Sequence, residues 1–301
     1  MSTNATNQSQ LNALTVDVED YYHVAAFSDV INPAEWQEME SRVESNTHRL
    51  LDLFDEDGIK ATFFVLGWVA ERHPSLVREI VDRGHELACH GYSHQLIFLQ
   101  NIDVFREETQ RAKSILEQTA QKAVFGYRAA SYSITQSSQW ALDTLVECGF
   151  LYDSSIFPVR HDRYGIPGAA RWPHHMKTPA GKEIVEFPLS TIRWSGMTIP
   201  IAGGGYFRIY PYAFSRWGLG SINKRNAMPF VFYLHPWELD PGQPRIRAGT
   251  LSRFRHYHNL QLCESRLRRL LKDFRFAPMK NVLEQLELFP EKTPANTKAV
   301  A

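Results

Sequence analysis

The sequence predicts an α/β domain organised around a mostly parallel sheet, on three observations. Short β-branched or aromatic runs alternate with stretches of helical apolar spacing; glycine recurs where those helices should end; and 301 residues with 44% hydrophobic side chains can bury one large core. The first run, Leu14-Thr-Val-Asp-Val18, reads as a buried strand. A helix follows, with Val43, Leu50, Leu51, Leu53 and Phe54 near helical spacing and Gly58 at a C-terminal cap position. Residues 61–66 read as the second strand, 76–81 as a helix before Gly84, and Glu86 to Cys89 as the third strand. Then come a long polar-faced helix over 102–116, a strand over 124–126 and a helix over 140–148 ending at Gly149. This repeated strand–helix alternation suits a barrel or a large open sheet.

Past residue 155 the rhythm gives way to Pro- and Gly-rich sequence, with Pro167, Gly168, Pro173 and the run Gly203-Gly-Gly205, which predicts long loops on one face. A strand returns over 230–234 and a Leu- and Arg-rich helix over 259–274. The expected organisation is a disordered polar leader over 1–12, one domain over 13–288 and a disordered tail over 289–301.

Lys plus Arg (33) balances Asp plus Glu (33), so no global field recruits nucleic acid, and a neutral substrate is compatible with the chain. The first dozen residues have neither a basic start nor an apolar stretch of signal-peptide length, which predicts a cytoplasmic protein. The longest apolar runs, such as 230–234, are too short to span a bilayer. Cys89, Cys148 and Cys263 are scattered without a CxxC pair, so buried free thiols are expected rather than disulfides or a zinc knuckle.

Four strand ends carry the residues of chemical interest. His90-Gly-Tyr-Ser-His94 follows the third strand and sets two imidazoles four residues apart, a spacing that chelates one metal ion if the segment winds into a helical turn. Alone, such a pair is weak evidence. Asp17, Glu19 and Asp20 cluster at the end of the first strand, where parallel α/β folds build their sites, although a solvated turn with a capping aspartate would also explain them. The strand over 230–234 delivers His235, and Gly126-Tyr-Arg128 delivers an arginine. Acids, imidazoles and a guanidinium at four strand ends form the arrangement from which barrel enzymes assemble active sites.

On these segments the sequence resembles the polysaccharide deacetylase superfamily, carbohydrate esterase family four, whose NodB-homology domain is a distorted (β/α) barrel. Thr15 to Asp20 is similar to the family's first motif, Gly84 to His94 to its second, Gly126-Tyr-Arg128 to its third, Tyr152-Asp-Ser-Ser155 to its fourth and Leu234-His235 to its last. Asp17 to His23, Tyr152 to Pro158, Gly203 to Arg208 and His235 to Pro241 resemble the branch associated with bacterial exopolysaccharide gene clusters, a similarity that runs over about 13–285. The family's first motif has adjacent aspartates, whereas Val18 follows Asp17 here. Strand alternation favours Glu19 over Asp20 as the metal carboxylate but leaves both open. Ala129 and Ala130 replace prolines that often follow the arginine, leaving the pocket wall near Tyr132 undefined.

The resemblance implies hydrolysis of N-acetyl groups on a saccharide. Glu19 or Asp20, with His90 and His94, would hold a divalent metal, zinc first, with cobalt or nickel also compatible with the ligand set. Asp17 would be the base, Arg128 its orienting partner and His235 the acid. Asp153 is expected to support Arg128, bind substrate or hold a turn; Tyr132 and Trp237 are candidate substrate contacts. Among the aromatics of the C-terminal half, Trp172, Trp194, Tyr206, Phe207 and Trp237 could stack on sugars, with packing favoured for most. Gly203 to Gly205 is expected to be a flexible or left-handed turn rather than a phosphate loop, since no Lys-Ser/Thr follows in strand-to-helix context. The basic stretch over 245–275 predicts an amphipathic surface helix with peripheral contact to anionic lipid as its second reading. Two other functions compete: a metal-assisted hydrolase of a small cyclic amide, and a non-catalytic saccharide-binding protein.

Overall fold

A computed structural model describes residues 10–161 and 164–289. The elements, in chain order, are β1 (Leu11–Val18), α1 (Val43–Glu56), β2 (Thr62–Val65), α2 (Gly67–Arg72), α3 (Pro74–Asp82), β3 (Glu86–Cys89), α4 (Ile102–Ala120), β4 (Gly126–Tyr127), α5 (Trp140–Glu147) and β5 (Tyr152–Asp153). They continue with β6 (His174–Lys177), β7 (Glu183–Glu186), β8 (Thr191–Trp194), β9 (Met197–Pro200), α6 (Gly204–Ile209), α7 (Tyr212–Asn226), β10 (Val231–Leu234), α8 (Thr250–Tyr257), α9 (Leu260–Asp273), β11 (Arg275–Ala277) and α10 (Met279–Gln285). Nine strands form one sheet in the order β10-β1-β2-β3-β4-β5-β7-β6, with β11 also paired to β1. Every pairing is parallel except β6 with β7. Strands and helices thus alternate as the sequence predicts through residue 150.

Irregular backbone joins the two ends of this sheet into a distorted barrel. Phe187 and Leu189 run on from β7 and donate to the carbonyls of Asp153 and Ile156; Ile201 donates to Ser190, and Tyr233 to Ala202. A parallel bridge between Gly203 and Tyr233 lies at the end of this seam. Gly203 has φ +127°, and a Cβ there would sit 2.1 Å from the Tyr233 carbonyl oxygen, so the seam requires a glycine. The glycine run is therefore a tight seam leading into α6, not a flexible loop.

Strand alternation sorts the core into two populations. Leu14, Val16 and Val18 join the large cluster beneath the helices, whereas Ala13 packs inside the barrel with Phe64, Ala88, Val231 and Tyr233. Thr15 and Asp17 share the inward parity of Ala13, which leads a polar column up the interior. At the opposite end α10 closes the floor: Met279 N–H donates to Thr62 Oγ1 at 2.7 Å and Lys280 N–H to Glu86 Oε2 at 3.0 Å. Met279, Val282 and Leu283 fill the space beneath.

Four expectations need correction. β1 starts at Leu11, inside the expected leader. Phe289 stacks edge-on against Phe125 and Tyr152, so the packed chain runs past 288; residues 1–9 and 290–301 lie outside the described residues. The supposed loop region after 155 contains β6 and β7, the β8–β9 hairpin and helices α6 and α7, whose strands are too short to show a period in sequence. The His90–His94 segment is not a helical turn; it is irregular, with φ +76° at Gly91 and +52° at His94. The cysteines are free, Cys89 and Cys263 buried. Among the described residues no helix is long and apolar enough to cross a membrane. The basic stretch forms α8 and α9. Leu260, Cys263, Leu267, Leu270 and Leu271 of α9 are buried, and Arg266 donates to the carbonyls of Phe207, Arg208 and Tyr210.

Candidate active site

The C-terminal ends of β1, β3, β4 and β10 converge. Asp17, the last inward residue of β1, is 2% exposed, and Arg128, just past β4, is fully buried. Arg128 Nη1 donates to Asp17 Oδ1 at 2.7 Å and to Thr15 Oγ1 at 2.8 Å. Its Nε donates to the Ser154 carbonyl at 3.1 Å and Nη2 to Ser154 Oγ at 3.0 Å. One guanidinium thus ties β1 to the segment after β5 and fixes the Asp17 carboxylate at one oxygen. The other oxygen, Oδ2, faces the site, 3.5 Å from Tyr132 Oη and 4.0 Å from His235 Nε2. Gly126 has a packing reason as well: a Cβ there would lie 2.0 Å from the Tyr152 ring.

Glu19, His90 and His94 form the one group of this kind among the described residues, with one donor atom from each within 4.8 Å of the others. His90 Nδ1 is 2.8 Å from the Arg128 carbonyl, which makes Nδ1 the protonated nitrogen and leaves Nε2 a free lone pair. Burial pushes His90 down to about 4, holding the imidazole neutral as a ligand must be. Glu19 Oε2 lies 2.7 Å from His94 Nε2, yet it is a buried oxygen without a well-formed hydrogen bond. Burial acts to raise the Glu19 carboxyl, but the His94 and His235 charges outweigh it and keep it ionised. A buried carboxylate with an unsatisfied oxygen between two imidazoles is a donor set that fits a divalent transition metal.

Asp20 does not join this group. Its carboxylate accepts from the backbone N–H of Tyr21 (3.0 Å), Arg42 (2.7 Å) and Val43 (3.0 Å) and from Ser41 Oγ (2.9 Å), serving as a remote cap for α1. The physical reason is that the chain turns past the end of β1 at Val18, sending the Asp20 carboxylate to the start of α1 while Glu19 stays with the imidazoles. Asp20→Ala is expected to lose about 2 kcal/mol of stability, read as a lowered Tm, while metal content stays at the wild-type level.

His235 is the most open member of the site, with 18% of its side chain exposed. The group is thus open to solvent on this side. Its Nε2 lies 3.5 Å from Glu19 Oε1, and its Nδ1 is 2.7 Å from Glu238 Oε1. Burial pulls the imidazole down, but the Glu19 charge and the Glu238 hydrogen bond push it up to about 9. Glu238 is held in turn by Arg208, whose Nε donates to Oε2 at 2.6 Å. Burial opposes ionisation of Glu238, but the Arg208 charge and the His235 bond keep its carboxyl down at about 2. Arg208 is itself 1% exposed and saturates the carbonyls of Arg255, His256 and His258.

Sequence reasoning assigned no role to Glu238 or Arg208, although both stand in segments that carry the family resemblance. His23 was likewise missed: it is buried among Tyr22, Trp36 and Trp68, and its Nδ1 accepts the Asp20 N–H.

Trp237 is corrected from a substrate contact to a packing residue. It is 3% exposed, stacks on His235 (centroids 4.9 Å) and His256 (4.1 Å), and sends Nε1 toward Glu19 Oε1 at 3.3 Å. Phe207 is buried too, against Phe232. Tyr132, by contrast, does reach the site, and it follows Ser131 in a pair of left-handed residues (φ +50° and +55°) that turns its hydroxyl toward Asp17.

Of its three expected roles, Asp153 takes that of holding a turn. It is fully buried, bonded to Ser155 N–H and Oγ and to Glu186, and its neighbour Ser154 rather than Asp153 itself contacts Arg128. Two buried carboxyls that hydrogen-bond each other must share a proton. Burial and the Asp153 charge raise Glu186 well above its usual range, and burial raises Asp153 to about 6. Both folded-state values lie above the unfolded ones, so their stabilisation is complete below about pH 4 and is lost as pH rises through the folded values. Stability, read as Tm, should therefore fall as pH rises above about 4 toward the folded values, by about 1.4 kcal/mol per pH unit for each carboxyl still protonated only in the folded state, a dependence that Glu186→Gln weakens, checked by thermal melts across pH.

Comparison with known proteins gives two matching family models, one described as polysaccharide deacetylase over residues 32–148, the other as a domain of unknown function (DUF3473) over residues 154–284. Peptidoglycan-N-acetylglucosamine deacetylase of Bacillus cereus is 29% identical over 147 residues, 45% of this chain and 52% of that protein. Chitooligosaccharide deacetylase of Sinorhizobium fredii is 44% identical over 48 residues, 16% of this chain and 22% of that protein. The chain thus spans about half or less of the curated relatives it matches. Among solved structures, a candidate polysaccharide deacetylase from Mycobacterium smegmatis aligns with TM-score 0.59 at 22% identity, covering 99% of this chain and 97% of that one. Puue allantoinase aligns with TM-score 0.60 at 16% identity, covering 93% and 92%. At these identities the two structures bear on the fold alone.

Proposed function

Since this chain belongs to the polysaccharide deacetylase superfamily, we propose that it is a metal-dependent hydrolase removing N-acetyl groups from amino sugars of a polysaccharide or its precursor, in exopolysaccharide biosynthesis. The observation that carries this reading is the placement of an Arg128-fixed Asp17 beside the Glu19–His90–His94 group, with His235 Nε2 facing both carboxylates.

Glu19, His90 and His94 would hold the metal, with zinc the first choice. When bound, a divalent cation supplies Lewis-acid polarisation of the amide carbonyl and an acidified water. The chain's own residues then have distinct tasks. Asp17 Oδ2 takes a proton from the attacking water while Arg128 keeps the carboxylate from rotating. His235, steadied at Nδ1 by Glu238, gives its Nε2 proton to the sugar nitrogen as the C–N bond breaks, yielding acetate and the free amine. Tyr132 stands on the pocket wall with its hydroxyl toward the reacting group.

The test is acetate release from N-acetylated oligosaccharides beside ring opening of a small cyclic amide such as allantoin, on metal-loaded protein. Acetate release alone supports the reading. Ring opening alone transfers it to the cyclic-amide alternative, and turnover of neither substrate by metal-loaded protein favours the saccharide-binding one.

A further inference from the structure

Resting on the saccharide reading, we infer that an aromatic track leads from this site to the surface and binds the chain of an extended glycan beyond the sugar being deacetylated. It starts at Tyr132, whose hydroxyl faces Asp17. The Tyr132 ring meets Tyr164 with centroids 6.1 Å apart, and the Tyr164 hydroxyl lies 2.9 Å from that of Tyr206. From Tyr206 the rings continue to Tyr210 (5.9 Å) and Phe214 (5.1 Å), and Phe214 meets both Trp194 (6.0 Å) and Trp217 (5.6 Å). The ring spacings are those of contacting aromatic pairs, and the hydroxyl contact between Tyr164 and Tyr206 links the inner and outer segments.

Exposure rises along it. Tyr132 is 6% exposed, the middle rings are partly buried, and Trp217 and Trp194 reach 41% and 52%. The β8–β9 hairpin presents Trp194 at a tight turn through Ser195 (φ +48°) and Gly196 (φ +77°), and α7 presents Trp217. A small substrate would need only the buried end. Tyr164 is itself stacked on His161 and Phe157, so an extended sugar chain would use the ring faces of the outer aromatics and the phenolic hydroxyls, which hydrogen-bond where a purely apolar strip would not.

The rival occupant is an anionic bilayer, for which Trp194, Met197 and Arg193 at the hairpin would suffice. The glycan is favoured because the rings run inward to Asp17, where a bilayer cannot follow, and because Arg216, beside Trp217, is already paired with Asp273 at 2.9 Å. Exposed aromatics that touch no catalytic group and run continuously to one are explained by a ligand that occupies both ends.

The experiment compares wild type with Trp194→Ala/Trp217→Ala on β-1,4-linked N-acetylglucosamine dimer and hexamer, measuring acetate release and, by calorimetry, binding. The expected result is a KM for the hexamer about tenfold higher in the variant, with kcat unchanged and dimer kinetics within about twofold of wild type. An unchanged hexamer KM, equal loss on the dimer, or failure of wild type to bind either oligomer overturns the track. Capture of wild type but not the variant by phosphatidylglycerol vesicles, with oligomer kinetics unaltered, replaces it with the membrane reading. If acetate is never released but wild type binds hexamer more tightly than dimer and the variant does not, the track stands and the deacetylase reading falls.

Discussion

Asp17→Asn should lower acetate release by about three orders of magnitude while metal content stays near wild type. The size follows from geometry: Asp17 Oδ2 is the carboxylate oxygen that faces the site without a strong partner, and an amide cannot take a proton there. The substitution also leaves the fully buried Arg128 without its charge partner, a change that costs about 3 kcal/mol or more. Thermal melts therefore accompany the assay, run at a temperature where the variant is folded. Full activity in the folded variant would remove Asp17 from the role of base.

The second large effect is loss of metal. His90→Ala/His94→Ala leaves one carboxylate of the three-residue group, and elemental analysis after reconstitution with zinc should fall from near one equivalent to background. Because this readout is content rather than turnover, it tests the ligand set whatever the substrate proves to be. Retained stoichiometric zinc in the double variant would place the site elsewhere.

Much of this site was legible in sequence because it sits at strand ends. Asp17, His90, Arg128 and His235 each follow a run of buried β-formers, and a parallel sheet brings such positions together without further information. Between Glu19 and Asp20 the sequence only favoured the first, whereas the structure groups Glu19 with the two imidazoles and gives Asp20 to the start of α1. Arg208 and Glu238 were not legible: they are separated by 30 residues, and nothing in either segment says that the two side chains meet in the interior. The seam was hidden for a different reason. It is made of residues 187–190 and 201–203, irregular backbone with no period to detect. Trp237 misled because an aromatic next to a candidate acid looks like a sugar platform, whereas stacked imidazoles cover it.

The position of β10 ties the last part of the chain to the first. One family model ends at residue 148 and the other begins at 154. Yet β10, from the second matched segment, lies hydrogen-bonded beside β1, and the His235 that follows it faces Asp17 and Glu19. The site therefore draws on β1, which precedes both matched segments, and on residues of each of them. An exchange of residues 154–284 for those of a relative would leave Asp17, Glu19, His90, His94 and Arg128 in place and replace His235 together with Glu238 and Arg208.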